Sequence, residues 1–362
     1  MLLVALLAST CIPLMNAYAK DDLRFMLMPI TPSTQVDADV GWFDLLLAPG
    51  VTETVYINVT NISDRDITVE ASLSPATTNM AGSVEYTPND IPPDETLLHN
   101  LADIATVPET LFIPQGGQTL LPIEINMPEA EFQGMIAGGI TVQEVESEEE
   151  VVDQGTPGMG VENEVRKTVA MIIRNDLATV APDVNLTSAW PELFNYRNAF
   201  FAAIQNPEPR FIGSATVEAY VTEMGSAEVL FSEASVSEAV QFAPNTTMNF
   251  PIVIEEVEFV PGWYTMHVMV SGAGEVWELS YDFYISQADA DALNDANILI
   301  ENEFPWLMII IGLLILALIL IIFLILLLKR RKKKKNDSKG DDDYYYDEET
   351  GHRYYLGDED DD

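Results

Sequence analysis

FIPQGGQTLLPIEINMPEAEFQGMIAGGITV, Phe112 to Val142, runs parallel to FAPNTTMNFPIVIEEVEFVPGWYTMHVMV, Phe242 to Val270. Both open on Phe-x-Pro, pass a turn containing Thr, continue as Pro-Ile-x-Ile and reach a Gly that opens another strand. Sandwiches reuse turn-strand-turn patterns, which accounts for part of the match; five features in one order favour two copies of one β-sandwich module. VYINVTN (Val55 to Asn61) precedes the first copy and FAAIQNP (Phe201 to Pro207) the second, each a strand ending on Asn.

Alternation agrees with strands. Val55, Ile57 and Val59 alternate with Tyr56, Asn58 and Thr60; Ile67, Val69, Ala71 and Leu73 form a second set, and Leu121, Ile123, Ile125 and Met127 a third. A period of two marks strands buried on one face, as in antiparallel sheets. Pro and Gly at Pro49-Gly50, Pro92-Pro93, Pro114 to Gly117, Pro128, Pro207, Pro244 and Pro261-Gly262 cut the chain at sandwich spacing. The fold class is therefore all-β, two tandem Ig-like sandwiches, with their boundary near Leu177 to Pro182.

Leu307 to Leu328 is an apolar run of 22 residues, followed by seven basic residues from Lys329 to Lys335. At 1.5 Å per residue it makes roughly 33 Å of helix, enough for a hydrocarbon core of about 30 Å. The basic block marks the cytoplasmic side and Trp306 the opposite boundary. The first 19 residues, apolar and ending Ala17-Tyr18-Ala19, read as a secretory signal that lacks a basic start. The expected organisation is signal 1–19, first sandwich 20–178, second sandwich 179–285, a helical stalk 286–305 capped by Ser286, a transmembrane helix 306–328, and a basic stop with an acidic tail over 329–362. The protein is then a single-pass cell-membrane protein, its N-terminal part outside and its tail cytoplasmic. ESEEEVVDQGTPGMGVEN, between two strands of the first sandwich, reads as a long acidic hairpin loop, and the Asp/Tyr tail as disordered.

The one cysteine, Cys11, lies in the signal, so no disulfide or thiol chemistry is expected in the exported part. Between Lys20 and Trp306 stand 46 acidic and 8 basic residues. Such a surface repels polyanions and excludes nucleic acid as a partner. His99 sits in a connector and His267 on a strand, on the face opposite Tyr264, Met266, Val268 and Val270. Carboxylates are too abundant for any pair to signal a glycosidase without geometry. Asp37, Asp39 and Asp44 lack the Gly and Glu that a calcium loop requires. No catalytic residue, metal or cofactor is assigned. Exposed aromatics are the better lead: Trp42, Phe43, Tyr86, Trp190, Tyr196, Trp263 and Tyr264, since aromatic faces stack on sugars and anchor interfaces.

FMLMPITPSTQVDADVGWFDLLLAPGVTETVYINVTNISDRDITVEASLSPATTNMAGSVEY resembles the first domain of the Gram-positive WxL-interacting proteins. The residues that carry the resemblance are Gln35 and Asp37, Gly41-Trp42-Phe43-Asp44, Pro49-Gly50, Asn61, Ala76, Thr78 and Asn79, then Gly82 and Tyr86. VNLTSAWPELFNYRNAFFAAIQNP, with Trp190 and Tyr196, resembles the start of that family's second domain. The resemblance implies a non-enzymatic surface scaffold: a first Ig-like domain that binds peptidoglycan, a second associated with host-surface proteins, and WxL-domain proteins as partners. On it, Gln35, Asp37, Trp42, Phe43, Asp44, Asn61, Thr78, Asn79, Tyr86, Trp190 and Tyr196 are the candidate binding residues. A wall-glycan hydrolase and an exported assembly chaperone of the pilus type are the rival readings.

Overall fold

In the computed structural model the described residues are 24–145, 165–230, 235–254, 257–297, 306–337 and 344–355. The expected signal and acidic hairpin loop lie outside them. The chain forms two units, residues 1–300 and 301–362.

The first unit begins with β1 (Phe25–Ile30), β2 (Phe43–Leu46), β3 (Thr52–Asn61), β4 (Ile67–Pro75), the short β5 (Thr77–Thr78) and β6 (Val84–Glu85), then α1 (Leu101–Ile104). It continues with β7 (Ala105–Thr106), β8 (Thr110–Ile113), β9 (Gln118–Asn126), β10 (Ile136–Glu144) and β11 (Arg166–Arg174). One sheet runs β1-β3-β9-β7 and the facing one β2-β11-β10-β4-β8, with β2 parallel to β11. Val55 pairs with Ile123 and Ile57 with Leu121, all buried, so the alternation read from the sequence closes one core. Each such side chain removed from water contributes about 2 kcal/mol.

The second sandwich comprises β12 (Asn185–Phe194), β13 (Arg197–Asn206), β14 (Ile212–Glu223), β15 (Ser235–Phe242), β16 (Thr246–Val253), β17 (Gly262–Gly272) and β18 (Glu275–Ile285). Its sheets run β12-β13-β16 and β15-β14-β17-β18. The first sandwich contains the same order, β1-β3-β9 and β8-β4-β10-β11, to which β2 and β7 are added. The two parallel sequence stretches fall on equivalent elements, β8 to β10 and β15 to β17. Asn195 and Tyr196 join β12 to β13 with both φ angles positive, 51° and 62°. A two-residue hairpin needs that geometry to match strand twist, and Asn tolerates it.

The repeat is plainest where β3 and β13 end. Asn61 Nδ2 donates to the carbonyls of Arg65 (2.7 Å), Ile113 (3.1 Å) and Pro114 (3.2 Å). Asn206 Nδ2 donates to Arg210 (2.7 Å) and Ala243 (2.8 Å). Both asparagines are buried, and each ties its own turn to the Phe-x-Pro at the end of β8 or β15.

After β18, α2 (Gln287–Ala296) starts on Ser286, whose Oγ accepts from Asp289 N. The expected stalk is corrected in its first half. Ala290 is buried, Leu293 packs on the second core, and Asn294 Nδ2 donates to Phe259 O while its Oδ1 accepts from Phe259 N. The apolar positions 290 and 293 lie on one helical face, so the helix docks rather than standing free.

The second unit holds α3 (Trp306–Asp337), in which Ile309–Arg331 is long and apolar enough to cross a membrane and none of it is buried against protein. Within the tail, the described residues 344–355 depart from the expected disorder. β19 (Tyr344–Tyr346) pairs antiparallel with β20 (Arg353–Tyr355) around a turn at Gly351, since Tyr is a strong strand former.

Candidate functional site

Gln35 shapes the first candidate surface. Its Nε2 donates to Asp37 O (2.9 Å) and Trp42 O (3.0 Å), and its Oε1 accepts from Asp44 N (3.2 Å). One side chain thus closes residues 35–44 into a loop, while Asp37 Oδ1 accepts from Asp39 N within it. Trp42 stands 43% exposed on this loop beside exposed Asp37 and Asp39. Phe43 does not join it. As the next residue at the start of β2, it points to the opposite face and is buried in the first core, which corrects its expected exposure. Asp44 turns to Arg174, with Oδ1 2.8 Å from Nη2.

Asn61 is likewise unavailable to a ligand, its amide being committed to the turn described above. Asn61 and Asn245, each the first residue of an Asn-x-Ser/Thr triplet, are both buried.

Thr78, Asn79 and Tyr86 belong to a third place. The segment after β4 leaves the first sandwich and lies against the second. Thr78 Oγ1 accepts from Ala243 N (2.9 Å) and lies 3.0 Å from Thr246 Oγ1, both contacts buried. Asn79 Oδ1 accepts from Ala81 N and Ser83 N, and its Nδ2 donates to Glu85. That turn brings Gly82, at φ +75°, against Val240, and Gly82 O accepts from Gln241 N. A Cβ at Gly82 would stand 2.9 Å from the Val240 methyls. Tyr86 packs with Ala76, Ala137, Ala243 and Phe211 in a small core at the joint, and burial pushes its phenol up. Gly139 on β10 makes room: a Cβ there would come 2.1 Å from Tyr86 O.

Further along, Asp94 binds the second sandwich directly. Gln205 Nε2 donates to both its carboxylate oxygens (2.9 and 3.1 Å) and Thr247 Oγ1 to Oδ2. Burial works against its charge, but hydrogen bonds from Thr247, Thr96 and Gln205 outweigh it and hold the carboxyl below its ordinary range. Gln205 and Thr247 are cross-strand partners on β13 and β16, so one carboxylate spans two strands. Asp94, Gln205 and Thr247 escape sequence reading because their partners are over a hundred residues away. The signal that bears on them is Gln205 preceding the repeated Asn206.

In the second sandwich, Trp190 lies stacked on Phe201 (5.6 Å, 14°) and its Nε1 donates to Glu192. Tyr196 is 70% exposed at the β12–β13 turn. On β17, Tyr264, Met266, Val268 and Val270 face the core, while His267 lies outward against Tyr220 (4.7 Å) and within 3.2 Å of Thr222 Oγ1. Trp263 is exposed beside Tyr284; Tyr264 is buried. The candidate residues therefore divide among an exposed loop, a domain joint and a separate aromatic edge, with Phe43 and Asn61 buried inside the first sandwich. Among the described residues, no group of three or more His, Cys, Asp or Glu is placed to hold a metal ion.

Residues 25–144 match the family described as WxL Interacting Protein, peptidoglycan binding domain, and residues 156–295 the WxL Interacting Protein, host binding domain. The second match begins ahead of β11, a strand that is hydrogen bonded into the first sandwich. No curated protein matches the chain. Among solved structures it is similar to the Pseudomonas aeruginosa CupB2 chaperone, at 15% identity over 67% of this chain and 97% of that one, with a TM-score of 0.27. The E. coli chaperone DraB gives 14% over 72% and 98%, at 0.26. The CsuC-CsuE chaperone-tip complex of Acinetobacter baumannii gives 9% over 70% and 97%, at 0.30. Scores this low carry no functional weight. The two family matches together span more than half of the polypeptide, in the family's order, and the chain belongs to the WxL-interacting protein family.

Proposed function

We propose that this protein is a non-enzymatic, membrane-anchored surface scaffold whose first sandwich binds peptidoglycan through the loop of residues 35–44. The observation that carries the reading is the exposed Trp42 on a loop closed by Gln35, inside the segment matched by the peptidoglycan-binding family domain. An indole face stacks on a sugar ring, and Asp37 and Asp39 beside it are acceptors for sugar hydroxyls. The loop is held before any ligand arrives, so little ordering entropy opposes binding. The α3 span anchors the chain, with the sandwiches outside and the basic block cytoplasmic. WxL-domain proteins are its envelope partners and host-surface proteins the ligands of its second sandwich, in keeping with the family descriptions.

Sedimentation of the full-length protein in detergent with purified sacculi tests this. Wild type is expected in the pellet, and Trp42→Ala is expected to lose most of its retention while melting at the wild-type temperature. Absence of wild-type protein from the pellet defeats the reading. So does release of soluble glycan by the purified protein, if a single Asp or Glu substitution abolishes it. A pull-down from the native envelope that retains no WxL-bearing protein removes the partner assignment.

A further inference from the structure

Basic side chains are scarce in the first unit, and several of them are neutralised. Arg24 and Arg65 share Glu144, at 3.4 and 2.9 Å, and Arg174 pairs with Asp44. Arg210 differs: Nη1 donates to Val180 O and Nε to Phe211 O (3.4 Å), and among the described residues no carboxylate pairs with it. Its guanidinium lines a cavity of about 180 Å³ between the sandwiches, together with Arg174, Met135, Leu177 and Phe211. Arg174 has its charge met by Asp44, and its Nε is shut off from the cavity by burial. Asp176 also lines the cavity, but it is exposed and its Oδ1 accepts from Ala178 N in its own turn.

We infer that this cavity is a carboxylate site, taking the C-terminal carboxylate of a short peptide that ends in a small apolar residue. A guanidinium without a counter-charge, as at Arg210, offers planar N–H donors that match a carboxylate. The volume admits one small residue and not a disaccharide, and Met135, Leu177 and Phe211 give a methyl group apolar walls. Arg65, four residues after the equivalent Asn61, has its charge met by Glu144, so the backbone repeat alone does not require an unpaired arginine at 210. The peptide stems of the wall polymer end in such residues; that source rests on the peptidoglycan reading, whereas the carboxylate chemistry rests on the cavity.

The test is calorimetric titration of the full-length protein in detergent with N-acetyl-D-alanyl-D-alanine and with its C-terminal amide. The acid is expected to bind at least tenfold more tightly than the amide. Arg210→Gln is expected to lose at least tenfold in affinity for the acid, and Arg65→Gln to keep the wild-type affinity. Equal affinity for acid and amide overturns the inference, as does absence of wild-type binding at millimolar peptide or wild-type affinity in a folded Arg210→Gln. If Arg210→Gln fails to fold, the acid-to-amide ratio on wild type decides. Sacculi retained by wild type without peptide binding defeats this inference alone, and peptide binding without sacculus retention defeats only the reading above.

Discussion

The turn Asn61–Arg65 in the first sandwich and Asn206–Arg210 in the second share a backbone and differ in what their arginines meet. In each, a buried Asn amide gathers the carbonyl four residues on and that of the residue before the Phe-x-Pro proline. Arg65 then reaches Glu144, whose side chain is 5% exposed, and its charge is satisfied within its own sandwich. Arg210 turns to the linker carbonyl at Val180 and faces the joint. A repeated module thus keeps the groups that satisfy its own backbone and changes those that meet a neighbour. Buried carbonyls must be hydrogen bonded in either copy, whereas a partly exposed guanidinium can serve whatever lies beside it.

The largest effect in this comparison is expected at the asparagines. Asn61→Ala and Asn206→Ala each strand buried carbonyls and should cost about 3 kcal/mol, read as a lower midpoint in thermal unfolding of the full chain. A single transition for both variants means that the sandwiches unfold together; two transitions mean that the joint is weaker than either core. Gly139→Ala comes next. The added methyl meets Tyr86 O on a packed strand, and about 2 kcal/mol is expected, with increased protease cutting between residues 76 and 98.

Arg65→Gln should cost about 1 kcal/mol, because Arg24 remains to share the charge of Glu144. Arg210→Gln should fall below that, since it breaks no carboxylate pair; a larger loss at 210 than at 65 would break the comparison. Asp94 supplies a pH-dependent contact at the same joint. Its folded pKa is depressed from the ordinary 3.8, so its contribution is complete above 3.8 and is lost as pH falls through the lower folded value. Asp94→Asn is therefore expected to lower the melting midpoint at neutral pH and to flatten the acid limb of its pH dependence. The smallest stability change is expected at Trp42→Ala, within about 0.5 kcal/mol, because the ring is exposed while Gln35 still closes the loop.

The first core was legible in the sequence because burial on one face of a strand writes itself as a period of two. Val55, Ile57 and Val59, and Leu121 to Met127, are buried as the alternation requires. The same rule applied to the strand from Trp263 separates Tyr264, Met266, Val268 and Val270 from His267. Aromatic content says nothing of direction, so it does not separate Phe43 from Trp42; Phe43 opens β2 and turns its ring into the core while Trp42, just ahead of the strand, stays exposed. The α2 docking is not legible in the sequence, because one turn of apolar positions is too weak a pattern to distinguish a packed helix from a free one.

Local chemistry therefore determined the strands, the repeated sandwich, the capped helix after β18 and the apolar span, since each depends on residues a few positions apart. Tertiary structure alone decided that Thr78, Asn79 and Tyr86 belong to a joint, that Asp94 reaches Gln205 and Thr247, and that Arg210 is left facing a cavity while Arg65 is paired. These outcomes rest on contacts between side chains that folding brings together from distant parts of the chain, and their energies depend on burial that no local pattern records.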